Sequence, residues 1–371
     1  MDWVRGQSIG HGNFGRVSLA IPKNRRAGNL PPLMAVKSCG ASSSAVLRHE
    51  KDLLTLIGAD CPRIVRCFGD CLSHENGEHL YNVFLEFAHG GSLADRVRNP
   101  GGGGLPICEV RRYTRSILEG LSHIHGRGFV HCDLKLSNIL VCASEKGGKD
   151  DVKIADFGLS ERAGERRGFE IRGTPMSLSP ESVSRGEYEP PADVWALGCA
   201  VAEMATGTPP WRCVGPEADV ARLLFRIGGG QESPEIPDVL PEDGKDFLAR
   251  CFVRDPKQRW TAGMLLRHPF VVDVDEDAAA TAAPEELKEG EPSTSPRGPL
   301  DLPGWAVRDD DRLLCFSSSG LQSPDSHAQY EEGRCPTLCS ASTRPPAHRI
   351  RHVATGDKPD WSISDGWVTV R

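Results

Sequence analysis

Residues 131–138, with the sequence His-Cys-Asp-Leu-Lys-Leu-Ser-Asn, constrain this 371-residue chain more than any other segment. Three of their side chains have the chemistry that moves a phosphoryl group. Asp133 can accept the proton of a substrate hydroxyl, Lys135 can neutralise charge on the transferring group, and Asn138 can bind a metal ion. We therefore predict that this segment is a catalytic loop, with Asp133 and Lys135 as catalytic residues.

A second polar motif, Asp156-Phe157-Gly158, follows the strand-like residues 152–154. Asp156 can bridge a metal ion to phosphate oxygens. Together with Asn138 it offers two oxygen ligands from separate loops, which suits a hard cation that keeps part of its water shell. We therefore expect ATP and Mg²⁺ to bind, with Asn138 and Asp156 as the metal ligands.

Residues 10–17 form a glycine-rich segment, Gly-His-Gly-Asn-Phe-Gly-Arg-Val. Glycines let a loop fold closely over phosphates and present backbone N–H groups to them. Dinucleotide-binding folds share this glycine spacing, but in those folds the third glycine opens a helix. Here Gly15 opens the strand-like residues 17–21, so the pattern indicates a flap between two strands. The nucleotide contacts expected in the flap are Gly10, His11, Gly12, Asn13, Phe14, Gly15 and Val17.

A strand lysine follows the flap, at the end of a Met-Ala-Val-Lys run. The ammonium of Lys37 can hold the α- and β-phosphates of ATP, so Lys37 is the third predicted catalytic residue. A lysine in this role needs a carboxylate that orients it, and Glu50 on the helical residues 44–57 is the candidate. The alternative for Glu50 is a solvated helix charge, because His49 and Lys51 flank it.

The order of secondary structure predicts an α+β fold with two lobes. Strand-like patterns dominate residues 3–87, which we expect to form a β-rich N-lobe interrupted by the helix at 44–57. Helical patterns dominate residues 88–270, the predicted C-lobe. Residues 110–125 are apolar on one face, and residues 194–204 are nearly all apolar, so the second helix should be buried.

Residues 271–371 differ in character and are rich in Ser, Pro, Gly and Asp. Such a segment buries too little apolar surface to offset its ordering entropy, so we expect a largely disordered tail. The predicted domain begins almost at residue 1, which leaves no room for an N-terminal control region, so regulation is expected in the tail. Residues 361–370 contain two Trp residues that could dock on a regulator or on the domain itself.

Charge and composition exclude several classes of partner. The net charge of −7 is concentrated between Asp273 and Pro292, where eight acids and one lysine occur. This balance argues against nucleic acid or an anionic membrane as a partner. No secretory signal and no apolar run of transmembrane length is recognisable. The thirteen cysteines contain no CxxC pair, which indicates reduced thiols and predicts a cytoplasmic and/or nuclear protein.

Residues 3–270 resemble a eukaryotic protein kinase domain, because the four motifs occur in one order at the spacing of that family. More narrowly, they resemble the plant MAP kinase kinase kinases of the MEKK type. The segments that carry the narrower resemblance are Trp3-Val4-Arg5-Gly6, His131-Cys132-Asp133, Gly173-Thr174-Pro175-Met176 and the run from Pro191 to Cys199. The resemblance implies phosphorylation of MAP kinase kinases on Ser or Thr, in plant stress or hormone signalling.

The resemblance also implies roles for residues outside the four motifs. Leu85 would be the gatekeeper of the nucleotide site, and Glu86 and Ala88 would offer backbone hydrogen bonds to adenine. Ile9 and Ala35 would make further contacts with the nucleotide.

Three more residues would support the C-lobe. Glu181, in Ser-Pro-Glu, would pair with Arg259, and Asp193 would brace the catalytic loop from its buried helix. Lys135 and Thr174 are the residue types of serine/threonine kinases rather than tyrosine kinases.

Two positions depart from the family pattern. Cys132 replaces an arginine that grips activation-loop phosphate in many kinases, and Glu161 lies where a basic residue is common. We therefore predict that loop phosphate is not the main on-switch, although Arg162, Arg166 and Arg167 could substitute for the missing charge. The alternative, a redox-sensing Cys132, would need a lowered thiol pKa.

Two other functions remain open from the sequence: a serine/threonine kinase of another pathway, and a catalytically inactive pseudokinase that acts as a scaffold. Pseudokinases usually lack one of three residues, which are the strand lysine, the catalytic Asp and the Asp of Asp-Phe-Gly. All three are present as Lys37, Asp133 and Asp156, which disfavours the scaffold.

Overall fold

The computed structural model describes residues 2–12, 15–23, 30–98, 103–142, 150–165, 168–211 and 220–272. The predicted tail lies outside the described residues from residue 273 onward, including its tryptophans, whereas Val271 and Val272 belong to the last helix. So do Asn13 and Phe14 of the flap, and Arg166 and Arg167 of the loop that follows Asp-Phe-Gly.

An antiparallel sheet forms the first lobe, in the order β1-β2-β3-β5-β4. Its strands are β1 (Trp3–Gly12), β2 (Gly15–Pro22), β3 (Met34–Gly40), β4 (Cys67–Glu75) and β5 (Glu78–Glu86). Because side chains alternate across a strand, Met34 and Val36 pack with Phe84 on one face of the sheet. Lys37 projects from the opposite face, where it lies beside Val17 of β2 and Val83 of β5.

Helix α1 (Ala45–Ile57) is the helix predicted between the strands. Its buried face carries Leu47, Glu50, Leu54 and Ile57, which recur at intervals of three or four residues. A carboxylate therefore lies in the middle of an apolar stripe. The alternative of a solvated charge is wrong for Glu50, since the residue is only 1% exposed.

Helices form the second lobe around a core centred on two long elements. These are α3 (Ile107–Gly126), amphipathic as predicted, and α5 (Pro190–Thr206), buried over most of its length. Trp195 of α5 packs edge to face on Phe252, with ring centroids 5.4 Å apart. The other α-helices among the described residues are α2 (Leu93–Val97), α4 (Pro180–Arg185), α6 (Val220–Gly229), α7 (Glu242–Cys251), α8 (Ala262–Leu265) and α9 (Pro269–Val272).

Four short strands hold the loops between the lobes. β6 (Phe129–Val130) pairs with β9 (Glu161–Arg162), and β7 (Ile139–Cys142) pairs with β8 (Asp151–Ile154). The segment with Asp133 begins after β6, and the segment with Asp156 runs from β8 to β9. Because β6 pairs with β9, the two segments lie side by side and face the same cleft. The α+β two-lobed fold predicted from the sequence is confirmed. In the part of the chain described, no helix is both long and apolar enough to cross a membrane.

Candidate active site

Lys37 lies between two carboxylates at the junction of the lobes. Its Nζ atom is 2.7 Å from Oε2 of Glu50 and 2.9 Å from Oδ1 of Asp156. Burial opposes the charge on this ammonium, but Asp156 and Glu50 outweigh it and raise the pKa of Lys37. Lys37 therefore stays cationic, and it links β3, α1 and the Asp-Phe-Gly motif in one contact set.

The predicted catalytic loop arranges its polar groups around Asp133, which is buried. Lys135 Nζ lies 3.1 Å from Oδ2 of Asp133 and donates a 2.8 Å hydrogen bond to the hydroxyl of Thr174. Thr174 in turn donates to Oδ1 of Asp133 from its hydroxyl at 2.7 Å and from its backbone N–H at 3.0 Å. A carboxylate fixed in this way can accept a proton from a hydroxyl presented beside it.

Asn138 and Asp156 can supply oxygen atoms to a metal ion. Asn138 uses its amide nitrogen on Asp133, with bonds of 2.9 Å to the carbonyl oxygen and 3.1 Å to Oδ2. Asp156 uses Oδ1 on Lys37. The other side-chain oxygen of each residue is the hard donor type that divalent cations such as Mg²⁺ take, so these two residues fit such an ion. The pKa of Asp156 is lowered, since Lys37 outweighs the effect of burial, so the carboxylate is charged.

A cleft lined by residues of both lobes opens beside these charged groups. Its lining includes the predicted nucleotide contacts Ile9, Val17, Ala35, Glu86 and Ala88. Leu140 of β7 contributes an apolar side chain from the second lobe, and Leu85 lines the cleft as well. An apolar slot that ends at Lys37, Asn138 and Asp156 fits a flat base at one end and a phosphate chain at the other.

The glycine-rich flap closes the hairpin of β1 and β2 above this cleft. Gly12 and Gly15 are paired across its tip, Gly10 is buried, and His11 is exposed. Gly15 has a φ of +143°, and a side chain there would collide with the carbonyl oxygen of Ser38. Glycine alone combines a positive φ with room for the neighbouring carbonyl oxygen, so this position depends on the absence of a side chain.

The connector between the lobes is fixed by an ion pair that the sequence patterns did not reveal. Lys153 of β8 donates to both carboxylate oxygens of Glu86, at 2.8 and 2.9 Å. The backbone N–H of Glu86 also donates to the carbonyl oxygen of Arg66 at 2.8 Å. The side chain of Glu86 thus fixes the connector to β8, and Glu86 also lines the cleft.

Comparison with known proteins agrees with this geometry. The family model of the protein kinase domain matches residues 3–271. The chain belongs to the protein kinase family. The kinase domain implies ATP as substrate and a divalent metal ion as cofactor.

Relatives identify the group within that family. The chain is 44% identical to mitogen-activated protein kinase kinase kinase 20 of Arabidopsis thaliana, over 100% of both chains. It is 39% identical to mitogen-activated protein kinase kinase kinase 17 over 73% of this chain and 70% of that one, and 36% identical to number 18 over 82% and 85%. The protein is therefore a serine/threonine kinase of the MAP kinase kinase kinase group. The family resemblance predicted from its sequence motifs is confirmed.

Asp193 of α5 braces the catalytic loop of the kinase from below, at the place that the resemblance implied. Its carboxylate accepts the backbone N–H groups of His131 at 2.8 Å and Cys132 at 3.0 Å, and a 2.8 Å bond from His125 Nε2. Burial acts against the charge, but His125 and His131 outweigh it and lower the pKa of Asp193. These bonds hold Cys132 at a φ of +68°, which is strained for a residue with a side chain.

Glu181 and Arg259 form the second implied support. Both guanidinium Nη atoms donate to the carboxylate, at 2.6 and 3.0 Å, and both side chains are buried. Arg259 also donates to the carbonyl oxygens of Val253 and Pro191. The pair therefore connects α4, the start of α5 and the segment before α8.

Further contacts at the site had no recognisable sequence signal. The His131 ring packs edge to face on Phe157, with centroids 5.0 Å apart, and its Nε2 donates to the carbonyl oxygen of Ala155. His49 of α1 donates from Nε2 to the carbonyl oxygen of Ser160 at 2.8 Å. The place of His49 next to Glu50 does not predict a contact with a residue 111 positions away.

Cys132 is buried, and burial raises the pKa of its thiol far above the ordinary value, with Asp193 and Glu161 acting in the same direction. A redox-sensing thiol needs the opposite shift, because the thiolate is the reactive form. The structure therefore gives no support to the redox alternative.

Proposed function

We propose that this kinase transfers the γ-phosphate of ATP to Ser or Thr residues of MAP kinase kinases. The observation that supports phosphoryl transfer is the position of Lys37 within 3 Å of both Glu50 and Asp156. A phosphoryl-transfer site of this type needs the strand lysine, the helix carboxylate and the Asp of Asp-Phe-Gly together before it can align ATP.

In the proposed mechanism, Lys37 holds the α- and β-phosphates, and the flap covers them with backbone N–H groups. Asp133 orients the substrate hydroxyl and takes its proton as the phosphoryl group is transferred. Lys135, held between Asp133 and Thr174, neutralises the charge that develops on the γ-phosphate. Backbone groups of Glu86 and Ala88 bind adenine, while Ile9, Val17 and Ala35 contact its faces.

Magnesium is the proposed metal, with Asn138 and Asp156 as its protein ligands. Two protein oxygens leave room for phosphate oxygens and water, which is how Mg²⁺ is commonly bound. When bound, the ion would neutralise phosphate charge. Titration of the apo kinase with Mg²⁺ and ADP by calorimetry tests this, and Asp156→Asn is expected to weaken the Mg²⁺ dependence of ADP binding at least about tenfold.

The proposed substrate class rests on the printed names of the relatives, which are MAP kinase kinase kinases. The test uses purified full-length kinase, Mg-ATP and a panel of MAP kinase kinases made inactive by substitution of their own strand lysine. We expect phosphate on Ser or Thr of at least one panel member. Asp133→Asn, the matched control, should lower turnover at least about 100-fold.

The assay also separates the alternatives. Activity on a general substrate protein with none on any MAP kinase kinase would favour a kinase of another pathway. Absence of transfer to all substrates, together with intact nucleotide binding, would favour a scaffold. Near-wild-type turnover by Asp133→Asn would contradict the assignment of the proton acceptor.

A regulatory role for residues 271–371 is part of the proposal. Its support is that the similarity to the first relative extends over the full length of both chains, beyond the matched kinase domain. A chain truncated after residue 272 should keep its turnover but lose binding of a tail-dependent regulator. Truncation that changes neither partner capture nor activity in cells would contradict this role.

Action in plant stress or hormone signalling, from the cytoplasm and/or the nucleus, completes the proposal. The named relatives are plant proteins, and the nine cysteines in the described ranges are free thiols, as reducing compartments favour. A fluorescent fusion, imaged in plant cells before and after osmotic or hormone treatment, tests the location and the response.

A further inference from the structure

Glu161 and Arg172 form a buried ion pair within the activation segment, the residues from Asp156 to Glu181. Arg172 Nη2 donates to Oε2 of Glu161 at 2.8 Å, and the two side chains are 6% and 2% exposed. Glu161 lies on β9, directly after the Asp-Phe-Gly turn, and Arg172 lies close before the residues that meet the catalytic loop. The pair therefore joins the part of the activation segment near Asp-Phe-Gly to the part that precedes Thr174.

The surroundings fix Arg172 from several sides. Its guanidinium stacks on the ring of Tyr188 at 4.6 Å from the centroid, and Glu170 lies 3.7 Å from its Nε. The Tyr188 hydroxyl donates to the carbonyl oxygen of Arg172 at 2.8 Å and accepts from its backbone N–H. Buried charges are costly unless they are paired with good geometry, so loss of either partner would leave an unpaired buried charge and disturb this part of the segment.

Arg172 lies two residues before Thr174, which contacts the proposed proton acceptor Asp133. Gly173 follows with a φ of +95°, and a Cβ there would lie 2.8 Å from the carbonyl oxygen of Cys132, so backbone and catalytic loop are in close approach. Thr174 comes next and donates two hydrogen bonds to Asp133. Displacement of Arg172 would thus be passed directly to Thr174 and Asp133.

We propose that Glu161 and Arg172 are positioning residues for phosphoryl transfer: their buried ion pair holds Thr174 against Asp133 without any phosphate. In kinases that depend on loop phosphate, an arginine next to the catalytic Asp binds the phosphorylated loop. This chain has the small, uncharged Cys132 at that place. The carboxylate and the guanidinium that order the activation segment, Glu161 and Arg172, both belong to the segment itself. The inference rests on the kinase activity proposed above.

The test compares Glu161→Gln, Arg172→Gln and the double variant in the full-length kinase, after phosphatase treatment of every sample. Glu187→Gln is the control, because Glu187 forms an exposed ion pair with Arg185 in the same lobe, also at 2.8 Å. Turnover is counted per nucleotide-binding site, measured by titration with a fluorescent ADP analogue, with a general Ser/Thr substrate protein. Each single variant should lower kcat at least about tenfold while KM for ATP stays within about twofold.

The double variant should be no slower than the slower single variant, because residues that act as one unit do not give multiplied losses. Arg172→Lys keeps the positive charge opposite Glu161, so it is the variant expected to fold even if the others do not. Its kcat should be at least about threefold above that of Arg172→Gln, or of the double variant if Arg172→Gln does not fold.

The outcomes are decisive. If the variants melt at lower temperature but kcat per binding site remains within twofold of the wild type, the pair is structural only and the proposal is wrong. Losses that multiply in the double variant, or an Arg172→Lys kinase no faster than the neutral variants, would overturn it as well. A wild-type protein with no turnover would instead contradict the proposed function itself.

Discussion

The hydroxyl of Thr174 donates a 2.7 Å hydrogen bond to the carboxylate of Asp133, and the backbone N–H of Thr174 donates to the same oxygen at 3.0 Å. Lys135 completes a triangle, since it contacts both residues. The activation segment and the catalytic loop therefore meet at one carboxylate. Because one loop sets the geometry of the other, substitutions in either loop should act on turnover.

Thr174→Val tests this relationship directly. The substitution keeps the size of the side chain but removes the hydroxyl between Asp133 and Lys135, so kcat should fall about tenfold or more while KM for ATP changes less than about twofold. Thr174→Ser retains the hydroxyl and is the matched control. Equal turnover of the Val and Ser variants would show that the hydroxyl does not position Asp133.

Lys37→Met should remove most phosphotransfer and should also change how stability depends on pH. Burial raises the pKa of Glu50, and the substitution removes Lys37, the main group that opposes this shift. A carboxyl with a raised folded-state pKa stabilises most at low pH and loses this contribution as pH rises through the folded pKa. At pH 8 the free energy of unfolding of the Lys37→Met variant should thus be about 3 kcal/mol below that of the wild type, and its melting temperature correspondingly lower. The difference between the two proteins should narrow at pH 6.

The control for that measurement is Lys37→Met combined with Glu50→Gln, which leaves no unpaired buried carboxyl at α1. Its melting temperature should exceed that of Lys37→Met at pH 8 and match it at low pH. A gap between wild type and Lys37→Met that is constant from pH 6 to pH 8 would refute this account of Glu50.

Glu181→Gln should destabilise the second lobe. It leaves the buried guanidinium of Arg259 without its charge partner, which costs about 3–5 kcal/mol for such pairs. Glu187→Gln, at an exposed ion pair, should change stability by less than about 1 kcal/mol. Chemical denaturation monitored by tryptophan fluorescence measures both, and similar losses for the two variants would show that burial of the pair is unimportant.

Glu203 on α5 predicts a second pH effect. Burial raises its pKa from 4.5 to about 7, and the positive charge of Arg98 opposes the shift only in part. Since the folded-state pKa is raised, the folded protein binds the proton more tightly, and stability should fall as pH rises from 4.5 towards 7. Glu203→Gln should abolish that loss, worth about 3 kcal/mol at pH 8.

Thermal melting from pH 5 to pH 8 measures the Glu203 effect, with Glu187→Gln as the control at an exposed carboxylate. The wild-type and control curves should fall relative to that of Glu203→Gln. Parallel curves for all three proteins would contradict the prediction.

Phosphatase treatment should leave most turnover intact, because Cys132 is uncharged and Glu161 and Arg172 already order the activation segment. Mass spectrometry confirms removal of loop phosphate, and turnover is measured before and after. If turnover falls more than about tenfold and rephosphorylation restores it, the loop phosphate does order the site. Arg162, which is exposed, would then be a candidate to bind that phosphate.

Local patterns were enough to predict the strand-rich first lobe and three of the helices, but not the shorter helices of the second lobe. The amphipathic repeat of α3 and the apolar run of α5 appear where expected, and the alternating strands before residue 87 form one sheet. These elements were predictable because helical and strand periodicity depends on neighbouring residues in the chain. Contacts between distant side chains were predictable only where a motif carried them, as for Lys37 with Glu50 and Glu181 with Arg259.

The sequence by itself determined the four motifs, their order and therefore the class of chemistry, because those residues are recognised by type and spacing. Only the tertiary structure decided which charges lose their contact with water. Glu161 was notable in the sequence as an acid that would repel phosphate, whereas folding buries it against Arg172, eleven residues later. The physical reason is that burial and pairing are set by packing between elements, and the order of residues along one element does not contain that information.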